Sequence, residues 1–138
     1  KMKISICLIL VTLFTSLVSA EQTETSIVSD TLIKSTHSWD GSQLPSYPEG
    51  QPEVTILRIT IPVGAKLPLH QHPYINAGVL IKGELTALTK KGEKLIMIAG
   101  EPIVEVVNKW HFGTNSGNVP AEIIVFYAGI KGEPITVK

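Results

Sequence analysis

Beyond Pro52 the chain reads as a succession of short runs rich in Val, Ile, Leu and Thr, each closed by glycine or another turn residue, with no sustained helical period. Residues 54–61 alternate through Ile-Leu-Arg-Ile-Thr-Ile before Pro62-Val63-Gly64, and comparable runs occupy 75–81, 84–89, 94–98, 103–107 and 121–128. Lys82-Gly83, Lys91-Gly92, Ala99-Gly100 and Ser116-Gly117-Asn118 separate them. Side chains alternate faces along a strand, so each run can bury one face while its backbone pairs with neighbours. Many short strands at regular spacing predict an all-β chain, folded as an antiparallel sandwich or barrel.

The segments ahead of these runs have a different character. Lys1 and Lys3 precede an apolar stretch, residues 4–18, that ends in Val18-Ser19-Ala20. A basic start, a short apolar run and small residues at the cleavage point predict a secretory signal peptide over residues 1–20, with Glu21 as the mature start and a periplasmic or secreted location. The competing reading, a membrane anchor, falls short of the roughly twenty apolar residues a spanning helix needs. The only cysteine, Cys7, lies inside this segment, so the mature chain has neither disulfides nor a cysteine nucleophile. Residues 21–53 are expected to form an N-terminal arm and loop laid on the barrel, with 31–34 as a candidate first strand. The stretch 37–52, carrying Trp39, Asp40, Gly41, Pro45, Tyr47, Pro48, Gly50 and Pro52, reads as ordered loop. Residues 54–138 are expected to make one β-barrel domain.

Removing the signal from 138 residues leaves 118, enough for one domain with a real core. Without Lys1 and Lys3, the twelve basic residues become ten against twelve acidic, a net charge near −2. Arg58 is the sole arginine and no basic patch occurs, which argues against nucleic acid as a partner, because that binding rests on neutralising phosphates. Nothing after Ala20 is apolar for long enough to span a bilayer. Leu85, Leu88, Leu95, Met97 and the apolar run 123–127 exceed what so small a core obviously needs, and a homodimer is expected.

Three of the four histidines, His70, His72 and His111, lie in two short segments, Gly64 to Gly83 and Gly100 to Asn115. His70 and His72 are two apart and project from one face of an extended strand, and Asn76 keeps that parity if the strand is unbroken. His111 would join them from a strand distant in sequence. Imidazole is the common ligand for first-row transition metals, so three together predict a divalent ion of the Fe, Zn, Ni, Mn or Cu group rather than three unrelated histidines. His37, beside Ser38 and Trp39 and outside both segments, reads as a loop residue.

The two segments resemble, position for position, the two motifs of the cupin superfamily. The first runs Gly, five residues, His-x-His, a carboxylate three or four residues on, then six residues and Gly. Its places are held here by Gly64, His70, His72, Asn76 and Gly83. The second runs Gly, five residues, Pro-x-Gly, two residues, His, three residues, Asn, and is represented by Gly100, Val106, Asn108, His111 and Asn115. The resemblance implies a jelly-roll β-barrel with the metal inside near one open end, and the chain is similar to small exported cupins. Asn76 stands where the family has its carboxylate ligand, and Val106 and Asn108 replace the Pro and Gly of the turn. Asn tolerates the positive φ that Gly supplies there. At Asn76 a neutral amide leaves the first shell nearer +2 than +1, which favours anionic or chelating ligands; the amide could contact the metal, hold its water or be purely structural.

Two further residues are candidates for catalysis. Glu105, if it pointed inward, would be a general acid or base with a pKa raised by burial. An outward orientation near Lys109 or Arg58 is the expectation, since carboxylates are seldom buried unpaired. Tyr74, with Trp110 and Phe112, flanks the histidines and could line the pocket mouth or merely pack. The function expected is a metal-dependent dioxygenase or lyase acting on a small oxygenated or anionic substrate. The alternatives are a binding module with a structural metal, and a metal-free barrel, against which the retention of all three histidines speaks.

Overall fold

The computed structural model describes residues 26–138, so the signal-peptide expectation lies outside the described residues. Among the described residues seven strands follow one another: β1 (Pro52–Ile61), β2 (Asn76–Lys82), β3 (Glu84–Thr89), β4 (Lys94–Ile98), β5 (Pro102–Val104), β6 (His111–Thr114) and β7 (Ala121–Ile130). They form two antiparallel sheets, one ordered β1-β7-β2-β5 and the other β4-β3-β6. The all-β antiparallel architecture expected from the run pattern is therefore what forms, in the jelly-roll form that the family resemblance implied.

Inward-facing residues of both sheets make one core. In the larger sheet Val125 pairs with Leu57 and Gly78, and Ile123 with Ile59 and Leu80, so alternate residues of β7 point inward with their partners. Leu85, Ala87 and Met97 of the smaller sheet join Ile61, Leu80, Ile103, Ile123, Val125 and Tyr127 in a single buried cluster. Fully burying side chains such as Leu80 or Ile103 stabilises the fold by about 1.5–3 kcal/mol each. Gly78 is needed for close approach, because a Cβ there would lie 2.6 Å from the carbonyl oxygen of Ile124.

Several expectations shift by local geometry. Residues 31–34 are exposed and form no strand. The run 103–107 contributes only the short β5, and β6, too short and glycine-interrupted to be read as a run, appears beyond it. Gly113 suits β6 because a side chain there would press on Leu67 and Leu85. At the turn between them Asn108 takes φ 55°, as the replacement of glycine by Asn requires. Leu85, Met97, Ile123, Val125 and Tyr127, read from sequence as surplus apolar surface, are core. Exposed apolar residues on the sheets include Val54, Ile56 and Phe126 on the outer face of the larger one, together with Ile96 and Ile98 on β4.

The N-terminal loop is fastened to the barrel. Trp39 N–H donates to Val104 O at 2.9 Å, Ser38 Oγ donates to Glu105 O at 2.9 Å, and Asp40 forms an ion pair with Lys109.

Candidate metal centre

His70 and His72 sit on a short extended segment between β1 and β2. His70 N–H donates to His111 O at 2.9 Å and His111 N–H returns the bond to His70 O at 2.8 Å, while Asn108 N–H donates to His72 O at 2.8 Å. Gln71, between them, pairs with Val137 of the C-terminal tail. The alternation expected of an extended segment thus turns both imidazoles to one side. The strand then bends at Pro73-Tyr74 and β2 begins at Asn76, so parity along an unbroken strand does not place Asn76. It reaches the same cavity as the first residue of β2, in register with Tyr127.

The three rings meet with centroids 4.9 Å (His70–His72), 4.4 Å (His70–His111) and 5.0 Å (His72–His111) apart, and one ligand atom from each lies within 4.8 Å of the others. Each Nδ1 faces a backbone carbonyl: His70 that of Pro68 at 2.7 Å, His72 that of Ile135 at 2.9 Å, and His111 that of Lys109 at 2.8 Å. A carbonyl only accepts, so each Nδ1 carries a hydrogen, which leaves Nε2 as the nitrogen through which a neutral ring offers its lone pair. This is the outer-shell arrangement that fixes tautomer and ring orientation in metal-ligating histidines. Among the described residues, the buried side-chain polar atoms without a partner are His111 Nε2 and Asn76 Oδ1. Asn76 Nδ2 donates to Tyr74 O at 3.1 Å, which turns Oδ1 away from that carbonyl. Buried acceptors left orphaned cost free energy unless something binds them. Three clustered imidazoles, with Asn76 lining the same cavity, suit a divalent transition metal.

Burial shapes the ionisation of the site. It lowers the pKa of His70 and takes that of His72 to about 4, with the neighbouring histidines adding to the effect on both. Near neutral pH both rings are therefore in the neutral state that binds metal. Tyr127, whose ring lies 5.3 Å from that of His72, is pushed up to about 12 by burial, with the charge of Glu105 contributing.

The cavity at this centre has a volume of about 60 Å³, and its deeper walls are apolar, with Ile61, Leu85, Ile123 and Val125 among them. It holds a few waters or a ligand of comparable size. Two orientations correct the sequence reading. Glu105 was expected to face solvent, but it lines the cavity, with its side chain 15% exposed and Oε2 3.7 Å from His111 Nε2. It lies beyond the end of β5, where strand alternation no longer dictates direction, and it finds donors in Trp39 Nε1 and Val106 N–H, each at 3.2 Å. Tyr74, read as a catalytic candidate, does not line the cavity; its ring lies beside Gly129 and its carbonyl orients Asn76. Phe112 does line it, whereas Trp110 does not. Tyr127 was missed, although its alternation with Ile123 and Val125 marks one face of β7. Arg58 is on the surface, 3.9 Å from Glu122. Asn115 closes the second motif structurally, its Nδ2 donating to Ile61 O and Val119 O, each at 2.9 Å.

A double-sheet β-barrel enclosing three convergent imidazoles defines a class, the metal-site jelly rolls. The Cupin domain family profile matches residues 57–127, half of the chain, and the protein belongs to the cupin superfamily. A comparison with curated proteins finds no match. Among solved structures, a conserved protein with a double-stranded β-helix domain from Klebsiella pneumoniae subsp. pneumoniae MGH 78578 superposes with TM-score 0.54 at 18% identity, over 65% of this chain and 85% of that one. A structure from work on DMSP lyases gives TM-score 0.52 at 14% identity, over 61% and 43%. An oxalate oxidase gives 0.49 at 26% identity over 55% of this chain, which spans 42% of that protein's length. These likenesses concern the barrel.

Proposed function

We propose that the protein is a metal-dependent cupin enzyme, a dioxygenase or lyase, acting on a small oxygenated or anionic molecule. The carrying observation is that all three Nδ1 atoms are engaged by backbone carbonyls while the three rings cluster with one ligand atom from each within 4.8 Å of the others. His70, His72 and His111 would hold the ion, with Asn76 Oδ1 as a neutral fourth contact. Bound there, iron would supply oxygen chemistry, and zinc would supply Lewis acidity for lyase or isomerase steps.

The chain's own residues define what can react. No lysine or arginine lines the cavity among the described residues, so an anionic ligand would be drawn by the ion alone. The apolar walls limit water around it and its volume restricts the reacting part to a few atoms. Glu105 is the cavity carboxylate that can accept or return a proton, and the raised pKa of Tyr127 keeps its phenol protonated as a donor.

Elemental analysis of protein from its native compartment identifies the metal. Oxygen consumption and product analysis with small diketones, phenolics and thiols then test turnover. Activity abolished in His111→Ala with the barrel intact supports the enzyme; ligand binding without turnover across the panel replaces it with a binding module whose metal is structural.

Export and assembly belong to the same proposal. Residues 1–20 act as a signal peptide, delivering the protein to the periplasm or exterior, and mass spectrometry of the exported form would find Glu21 at its N-terminus. The exposed face around Ile56 and Phe126, register partners across β1 and β7, joins two copies as a homodimer.

A further inference from the structure

Glu105 is the one acidic residue lining the cavity among the described residues, and its position is not left to chance. Trp39 Nε1–H and Val106 N–H both donate to Oε2, the oxygen that lies 3.7 Å from His111 Nε2. Among the described residues Oε1 accepts no hydrogen bond and keeps its lone pairs available. The loop bearing Trp39 is tied down on both sides of this contact, by Ser38 Oγ to the Glu105 carbonyl, by Trp39 N–H to Val104 O, and by the Asp40–Lys109 ion pair. A carboxylate so largely removed from water is costly unless a positive partner faces it. The neighbours that face it across the cavity are the imidazoles of the cluster, so a cation at their focus is the charge that would balance it.

Resting on the metal reading above, we propose that Glu105 supplies from the second motif the negative charge that Asn76 lacks in the first, and that Trp39 is the positioning residue that holds it against the three-histidine cluster. The N-terminal loop is then a working wall of the site. Three neutral imidazoles and a divalent ion carry about +2, and Glu105 returns the centre to about +1 without occupying the position of Asn76.

The test is titration of the metal-free protein with Co(II), read by visible absorption and calorimetry. The wild type is expected to bind one ion. Glu105→Gln should weaken binding about 10–100-fold, the range for lost outer-shell partners, and shift the Co(II) bands, while Glu105→Asp, which keeps the charge, should lie nearer the wild type. Trp39→Phe, which keeps the ring and removes its N–H, should weaken binding about 10-fold and move the same bands. In the wild type the Trp39 indole N–H resonance should shift with diamagnetic Zn(II), because the ion polarises the carboxylate that accepts it, and an unshifted resonance would count against the proposal. Co(II) affinity and bands unchanged in folded Glu105→Gln overturn the proposal while leaving the metal reading intact. Should that variant fail to fold, unchanged binding and bands in Trp39→Phe overturn it equally. A native wild type that takes up no Co(II) ends both.

Discussion

His70 and His111 exchange two backbone hydrogen bonds, of 2.9 and 2.8 Å, so the segments carrying the histidines are joined by main chain at the point where the imidazoles meet. The rings, 4.4 Å apart, are therefore brought together by the sheet framework.

From this follows a preformed site. The metal-free protein should be folded by circular dichroism, and one equivalent of a divalent transition metal should raise its Tm by mass action. His111→Ala should retain the barrel and lose more than about 100-fold in metal affinity by calorimetry, beyond the usual outer-shell loss. Unfolding of the protein on chelation would contradict preformation.

Asn76→Asp places a carboxylate at a fully buried position whose oxygen has no protein donor. Without metal it should lower stability by at least about 1–3 kcal/mol in urea denaturation. With metal, the new charge should tighten binding, so the two effects take opposite signs. A variant that is destabilised yet binds no tighter would place Asn76 away from the ion.

Acid should weaken the metal-free fold through His72. Its folded pKa of about 4 lies below the unfolded 6.5, so the unfolded chain gains the proton first as pH falls. The contribution is complete above about pH 6.5 and is lost between there and about pH 4, reaching about 3 kcal/mol. His70 shifts in the same direction. An NMR titration of the His72 ring with its midpoint near 6.5 would refute this.

Gly78→Ala should destabilise by about 1–3 kcal/mol, because the added methyl meets the Ile124 carbonyl at 2.6 Å and backbone must move. Thermal denaturation measures it; an unchanged Tm would show that β2 and β7 can separate without cost.

Ile56→Lys and Phe126→Lys, on the exposed face, should convert a dimer to a monomer in sedimentation velocity while leaving Co(II) binding unchanged. A wild type that sediments as a monomer at micromolar concentration would remove the dimer.

The strand runs and the histidine spacings were legible in the chain because both depend on local geometry. Alternation over two residues orients His70 and His72, and glycine or Asn at a turn needs only its own φ. The jelly roll itself was implied by the resemblance of the two motifs to those of cupins, whereas the run pattern alone reached only a sandwich or barrel. Tertiary structure alone decided the direction of Glu105, whose indole partner is 66 residues away, beyond the reach of any periodicity. It likewise chose which nitrogens face the centre, since carbonyls of Pro68, Lys109 and the distant Ile135 set the tautomers. Tyr127 joined the cavity only once β7 paired with β2, because alternation defines two faces and only packing selects the one that is buried.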